Sequence, residues 1–527
     1  MPTFVYCGTE DAAVVSLEMS VGGLCEQKQR LALPNPHWLS RGSPGGIAVE
    51  WVVAHPAGKH VYALVSSWDH APGELFSLDI DAEGELTIGT SVPSGGYQPC
   101  HAVLCGTDYM LIAHYLSAEV AVFNISLARG YASKPVLLAK TALPRRGAAL
   151  EPLLPSPPPG WVMKTPLRLL MRDASKFRAP EPGEFTPLCH GLALAPDDDY
   201  LVACDAGQGV IVTYGFDRQA GKLGAHTSYP LPEPPGTGSL GSSIVAARLG
   251  HRTWRAKKLC TCTPLLATAT ATAIATAIAT AIASTATAAE CSPLLSHPCP
   301  HTGPRHACFS PDGTFLYVLH EAANVVTILS FDGNTGLIIS PIGHVPSYPG
   351  LTPAPTVPCA AALPGALGVC LGGVYAAAEI LIHPSSGGVF TTTRGFGLGA
   401  SGCLRGYRPE ALLQGMGRAG LKATLDVDVG SANVRHCTFD PSGKWLVVGS
   451  MATVTAYQVT PHGDLREQDP RTSEVDSRDM VNCMACVVVG EFRSGGAAGS
   501  WPAVQPASGL LTPGRTPGRR LPPMLST

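Results

Sequence analysis

One unit recurs along this chain: a short β-rich run, a tight turn, and a second run of β-branched and apolar residues. It reads EWVVAHPAGKHVYALV at Glu50–Val65 and HGLALAPDDDYLVA at His190–Ala203. It returns as RHACFSPDGTFLYVL at Arg305–Leu319, EILIHPSSGGVFTT at Glu379–Thr392 and RHCTFDPSGKWLVV at Arg435–Val448. At His101–Ala113 the turn is Gly106-Thr107-Asp108 in place of the proline form. Proline presets φ early in such a turn, and Asp, Ser or Gly completes it. Each copy is therefore a hairpin of two antiparallel strands.

Most copies are followed by a third strand: Leu75–Ile80, Val120–Ile125, Val210–Phe216, Val325–Phe331 and Val454–Val459. Asp81–Leu86 and Asp332–Leu337 add an acidic-Gly turn leading to a fourth. A lone hairpin cannot cover both of its faces, so units of this kind must stack on one another. Four strands per unit, repeated around a ring, make an all-β propeller. Six units are visible, and the seventh is expected to be split, with Phe4–Gly8 supplying one strand and Met480–Val489 others. The expected fold is a seven-bladed β-propeller closed by its N- and C-terminal strands.

Composition supports this and narrows the partners. The 58 glycines and 48 prolines among 527 residues favour turns over long helices. Apolar residues make up 45%, enough for a large core. Net charge is −3 and only 14% of residues are charged, which points away from nucleic acid and membrane surfaces. The 17 cysteines are irregularly spaced, and several fall inside strand-like runs, as Cys100, Cys204, Cys308 and Cys437 do. That pattern suits buried free thiols in a reducing compartment better than a disulfide framework. Cys260/Cys262 and Cys483/Cys486 lack second pairs at zinc-finger spacing. The N-terminus enters a strand at once, without a leader pattern, so a cytoplasmic location is expected.

The propeller is expected to occupy 1–493, interrupted by partly disordered insertions at about 143–187, 221–302, 342–372 and 395–430 and followed by a disordered tail at 494–527. The Ala/Thr/Ile tract Ala267–Ala289 lacks the large apolar residues and aromatic flanks of a membrane span. Gly395–Gly420 carries eight glycines and little strand pattern, so the outer half of the fifth unit reads as degraded.

In a propeller the first strand of each blade starts, and the second ends, at the same mouth of the channel. At first-strand starts stand His101, His190, Arg305 with His306, Glu379, and Arg435 with His436. At second-strand ends stand His114 with Tyr115, Asp205, His320 with Glu321, and Arg394. Any one of these can simply satisfy loop carbonyls or a neighbouring charge. Together they share a register, which favours a ligand site. Metal spacing such as H-x-H or H-x₃-H is missing from the cluster, so neither metal nor cofactor is expected.

These residues resemble the lactonase family of seven-bladed propellers, which includes propeller-type 6-phosphogluconolactonases and carboxy-cis,cis-muconate cyclases. Gly303–Phe331 resembles the family's G-P-R-H block with its downstream Y-V-x-x-E, and Gly96–Phe123 its P-C-H block. Phe4–Thr9 resembles the opening Y-x-G-T strand, and Asn433–Tyr457 the R-H-F-x-F-D-P-S-G block. The resemblance implies catalytic roles for His190, Arg305, Glu321 and Arg394. His190 stands in Pro187-Leu188-Cys189-His190 where the family has P-H-x-H, and Arg394 in Thr393-Arg394-Gly395 where it has N-R-G.

The implied activity is hydrolysis of a sugar δ-lactone, 6-phosphogluconolactonase-like, within carbohydrate metabolism and the pentose phosphate pathway. Arg305 and Arg394 would hold developing negative charge or an anionic group. Glu321 would activate water, with His190 as proton donor or second base. His101 and His306 would position sugar hydroxyls, with Tyr115, Arg435 and His436 as further substrate contacts. The expected partner is a small sugar lactone, phosphorylated by analogy. The alternatives are a non-catalytic interaction propeller and a muconate-type cyclase.

Overall fold

Alternating β-branched and small residues on the repeat's strands let each blade bury both faces against its neighbours. The computed structural model describes residues 2–23, 25–34, 47–67, 72–128, 131–132, 134–144, 187–232, 303–321, 323–349, 374–396, 401–410, 420–451, 453–466, 470–475 and 481–489. Among them there is no helix, and the strands form seven four-stranded antiparallel sheets plus one short hairpin. The result is a seven-bladed β-propeller.

Blade one runs from Ile47–Ala54 outward to Leu86–Tyr97, and blade two from Pro99–Cys105 to Val136–Ala142. Blade three spans Cys189–Leu194 to Lys222–Pro230, and blade four Pro304–Phe309 to Leu337–Pro346. Blade five spans Val374–Ile382 to Gly420–Asp428, and blade six His436–Phe439 to Arg471–Glu474. Blade seven takes its innermost strand, Val481–Val488, from the C-terminal side and its other three, Thr3–Thr9, Ala13–Met19 and Cys25–Ala32, from the N-terminal side. The split seventh unit is thus observed, with the shares reversed: three strands come from the N-terminus and one from the C-terminal segment. Phe4 pairs with Val487 and Cys7 with Met484 across the closure.

Each core cluster joins two adjacent blades. Phe4, Tyr6 and Val14 of blade seven pack with Val49, Val61 and Phe76 of blade one. The Tyr6 hydroxyl and the Ser16 hydroxyl both donate to the Gly84 carbonyl, at 3.1 and 2.8 Å. That turn of blade one is thereby fixed onto blade seven. Cys100, Cys204 and Cys437 are buried free thiols, and Cys308 is a half-buried one.

Two expectations need correction. The segments assigned to insertions at 221–302, 342–372 and 395–430 contain regular outer strands: Lys222–Pro230, the end of Leu337–Pro346, Cys403–Glu410 and Gly420–Asp428. The fifth blade is complete. Outermost strands face solvent, so they lack the apolar alternation by which inner strands are recognised: seven of the nine residues of Lys222–Pro230 are exposed. In blade five, charge substitutes for apolar pattern, because Arg405 pairs with Asp426 at 2.9 Å and Arg408 pairs with Asp464 of blade six. The Ala/Thr/Ile tract, the proline-rich stretch at 155–159, the Cys260/Cys262 pair and the 494–527 tail lie outside the described residues.

Candidate active site

The inner strands share an irregularity that aims side chains at the axis. The register against the second strand slips between Val49 and Trp51, Pro99 and His101, Cys189 and Leu192, Pro304 and His306, and Ala377 and Glu379. A bulge of this kind turns one extra residue out of the ladder and redirects its neighbour. The turned-out residues are Glu50, Cys100, His190, Arg305 and Ala378. Arg435 and Asn482 hold the corresponding positions in blades six and seven. One residue further along, Trp51, His101, Gly191, His306, Glu379 and His436 form a second layer.

The second layer is an aromatic floor. Trp51 lies 4.1 Å from the His101 ring, 4.9 Å from His436 and 5.7 Å from His306, centroid to centroid. His101 and His306 are 4.6 Å apart. Gly191 is the gap in this layer: a Cβ there would overlap the Arg305 carbonyl and stand 2.9 Å from His306 Cα. Glu379 is buried and accepts from His306 Nδ1 at 2.8 Å, while its other oxygen faces His436 Nε2 at 3.4 Å.

Above the floor the charged groups interlock. Arg305 is only 3% exposed; its Nη1 donates to the Ala378 carbonyl and lies 3.3 and 3.2 Å from the two ring nitrogens of His306. Its Nε is buried without a hydrogen-bond acceptor, with Glu321 standing off at 3.9 Å. Arg394 pairs directly with Glu321 and donates to the Ala376 and Ala377 carbonyls. Tyr115, Glu321 and Arg394 follow the same register at second-strand ends: the Tyr115 and Glu321 amides bond the Gln98 and Gly303 carbonyls, and Arg394 pairs with Ala376. The Glu321 side chain keeps 26% exposure, and His190 and Tyr115 are half-buried, so the cluster opens beside blades two to four. His190 lies 5.2 Å from His306 and 5.4 Å from Tyr115, ring to ring.

These surroundings set the protonation states. Burial, then Arg305 and His306, hold His190 well below the usual histidine range, so it is neutral. Its Nδ1 has no hydrogen-bond partner. Burial and charged neighbours likewise keep His101 and His306 neutral, and burial brings His436 down to about 4. Burial opposes the Glu321 charge, but Arg394 and Arg305 outweigh it and hold the carboxyl below the usual carboxylate range. Burial, with Arg394 beside it, lowers Arg305 to about 10, which leaves it charged at neutral pH.

The structure thus brings His190, Arg305, Glu321, Arg394, His101, His306, His436 and Tyr115 into one cluster. Arg435 is adjacent but committed: it donates to Glu50 at 2.6 Å and Asn482 at 2.9 Å, tying blade six to blades one and seven. This pairing turns it from the expected substrate contact toward a structural one. Three polar residues at the strand ends turn away into the blades: His114 bonds Ser94 at 3.0 Å, His320 bonds Thr327 at 2.8 Å, and Asp205 caps the amides of Leu188, Gly207 and Gln208. Trp51, Glu50 and Asn482 were not singled out from the sequence, although they occupy the two repeat positions that hold histidines and arginines elsewhere: Glu50 and Asn482 the first, Trp51 the second. Among the described residues, no group of three His, Cys, Asp or Glu side chains is arranged to hold a metal ion.

A seven-bladed ring with a buried His/Arg/Glu cluster at one mouth defines the class. The lactonase family of seven-bladed β-propellers matches residues 42–152 and 284–473, more than half of the sequence, and the chain belongs to that family. Family membership supports lactone hydrolysis at that general level. No curated protein matches the sequence. Among solved structures, a Bacteroides uniformis protein assigned as a 6-phosphogluconolactonase aligns at 17% identity and TM-score 0.55, covering 92% of this chain and 99% of its own. The periplasmic gluconolactonase of Pseudomonas aeruginosa aligns at 15% identity and TM-score 0.56, covering 93% and 100%. At these identities the likeness is one of fold.

Proposed function

We propose that this protein hydrolyses the δ-lactone of a sugar acid, the reaction of 6-phosphogluconolactonases and gluconolactonases. The observation that carries the reading is the buried Arg305 Nε, a charged donor without an acceptor, beside a neutral His190 whose Nδ1 is also unpartnered. A donor and a base left open in one cluster suit an ester carbonyl and an attacking water. Water gives its proton to His190 Nδ1 as its oxygen adds to the lactone carbonyl carbon. The oxyanion that forms is held by Arg305. Collapse breaks the ring C–O bond, and the departing ring oxygen takes the proton from His190, leaving the open hydroxy acid.

This departs from the expected role of Glu321. A carboxylate bound by two arginines is a weak base, so Glu321 orients the guanidiniums rather than activating water. His190, neutral and open at Nδ1, takes the base role. The weak basicity of a depressed histidine suffices for a δ-lactone, an ester already strained toward opening.

The test is base uptake in weakly buffered solution with glucono-δ-lactone, above the spontaneous rate. Wild type is expected to accelerate opening, and Arg305→Ala to lose about 10²–10³-fold in kcat, the usual effect of removing an oxyanion donor. Equal rates for the two proteins would overturn the proposal.

A further inference from the structure

The charged groups of the cluster balance. Arg305, Arg394 and Arg435 stand against Glu321, Glu379 and Glu50. Glu321 lies between Arg305 and Arg394, and Glu50 holds Arg435, with Glu10 a further negative charge acting on it. Glu379 belongs to neither pair. It accepts from the Ile380 amide at 3.1 Å and from His306, follows Ala378, whose carbonyl binds Arg305, and exerts its charge on Arg305. Burial keeps the four floor and rim histidines neutral, so they add no positive charge.

We propose that this pocket takes an uncharged sugar lactone, not one bearing a phosphate or a second carboxylate, and that Glu379 sets this preference by completing the charge balance around Arg305 and Arg394. The inference rests on the lactonase reading and narrows its substrate. A phosphate dianion needs cations not already neutralised. Here it would have to displace Glu321 from both arginines or remain uncompensated in a buried site. An uncharged lactone offers only a carbonyl and hydroxyls. The carbonyl suits Arg305 Nε, and the hydroxyls suit the Tyr115 and His190 rim over an apolar, aromatic floor. A muconate-type dicarboxylate meets the same obstacle as the phosphate.

The experiment compares kcat/KM for glucono-δ-lactone and its 6-phosphate in the full-length protein and in Glu379→Gln. The substitution keeps the size of the side chain and an acceptor for His306 while removing one negative charge. Wild type is expected to favour the uncharged lactone at least about tenfold, and Glu379→Gln to move the ratio about tenfold toward the phosphorylated one, the scale of one nearby charge. A wild-type preference for the phosphorylated lactone, or an unmoved ratio in an active Glu379→Gln, overturns the inference and leaves the lactonase reading standing. If wild type opens neither lactone, the lactonase reading itself fails and this inference with it. Should Glu379→Gln not fold, calorimetric binding of gluconate against 6-phosphogluconate to wild type decides: tighter gluconate supports the inference, and tighter 6-phosphogluconate overturns it.

Discussion

Arg305 combines two states in one side chain: Nη1 is committed to a backbone carbonyl, while Nε is buried and unpartnered. The first fixes the geometry that makes the second useful. A lysine has no equivalent fork, so Arg305→Lys is expected to behave like the alanine variant in the lactone assay, and near-wild-type turnover by the lysine variant would argue against the assigned role. The histidines make a separate prediction about pH. Burial takes His114 and His320 down to about 3 and His436 to about 4, below their unfolded value near 6.5. The unfolded chain therefore takes up protons that the folded one refuses. Stability is full above about pH 6.5 and falls as pH drops toward those folded values, by roughly 1 kcal/mol per histidine between pH 7 and 5.5. Thermal unfolding should show a level Tm from pH 7 to 8 and a decline by pH 5.5; a Tm unchanged down to pH 5 would contradict this. At this scale the sequence disclosed charged and titratable residues well, because strand starts of equal register stand out. Trp51 lay in a quoted repeat but is not titratable, and Asn482 lies in a strand without the proline turn.

A blade's inner strand was the easiest element to read and its outer strand the hardest. The inner strand carries apolar alternation and a turn of fixed chemistry, as Arg305–Pro311 does, whereas Gly420–Asp428 is mostly exposed and reads as loop. The bulges were not legible at all, since they are set by how the second strand pairs back. They make the crowded position of Gly191 testable. Gly191→Ala places a methyl against the Arg305 carbonyl and is expected to cost about 1–3 kcal/mol in denaturant unfolding, the range for overpacking. A neutral result would show that the layer is looser than described. At the closure, the hydroxyl of Tyr6 bonds blade one from blade seven. Tyr6→Phe should lower stability by about 1 kcal/mol, and no change would discount that bond as a link between blades.

For the whole molecule, closure and chemistry are the same problem. Cluster residues come from separate blades, with His190 on blade three, Arg305 and Glu321 on four, and Arg394 and Glu379 on five. Residues of different blades, such as Glu321 and Arg394, meet only when the blades stack. Shortening the chain before Val481 removes the innermost strand of blade seven together with Asn482, and is expected to abolish cooperative unfolding. Lactone hydrolysis here requires that this ring gather its Arg, His and Glu side chains around one small molecule. A crystal structure with bound glucono-δ-lactam, an uncharged and unhydrolysed stand-in for the lactone, is the sharpest check. The lactam carbonyl oxygen should lie within hydrogen-bond distance of Arg305 Nε, with the ring hydroxyls toward His190 and Tyr115. Lactam bound elsewhere on the ring, with Arg305 Nε still unpartnered, would refute it.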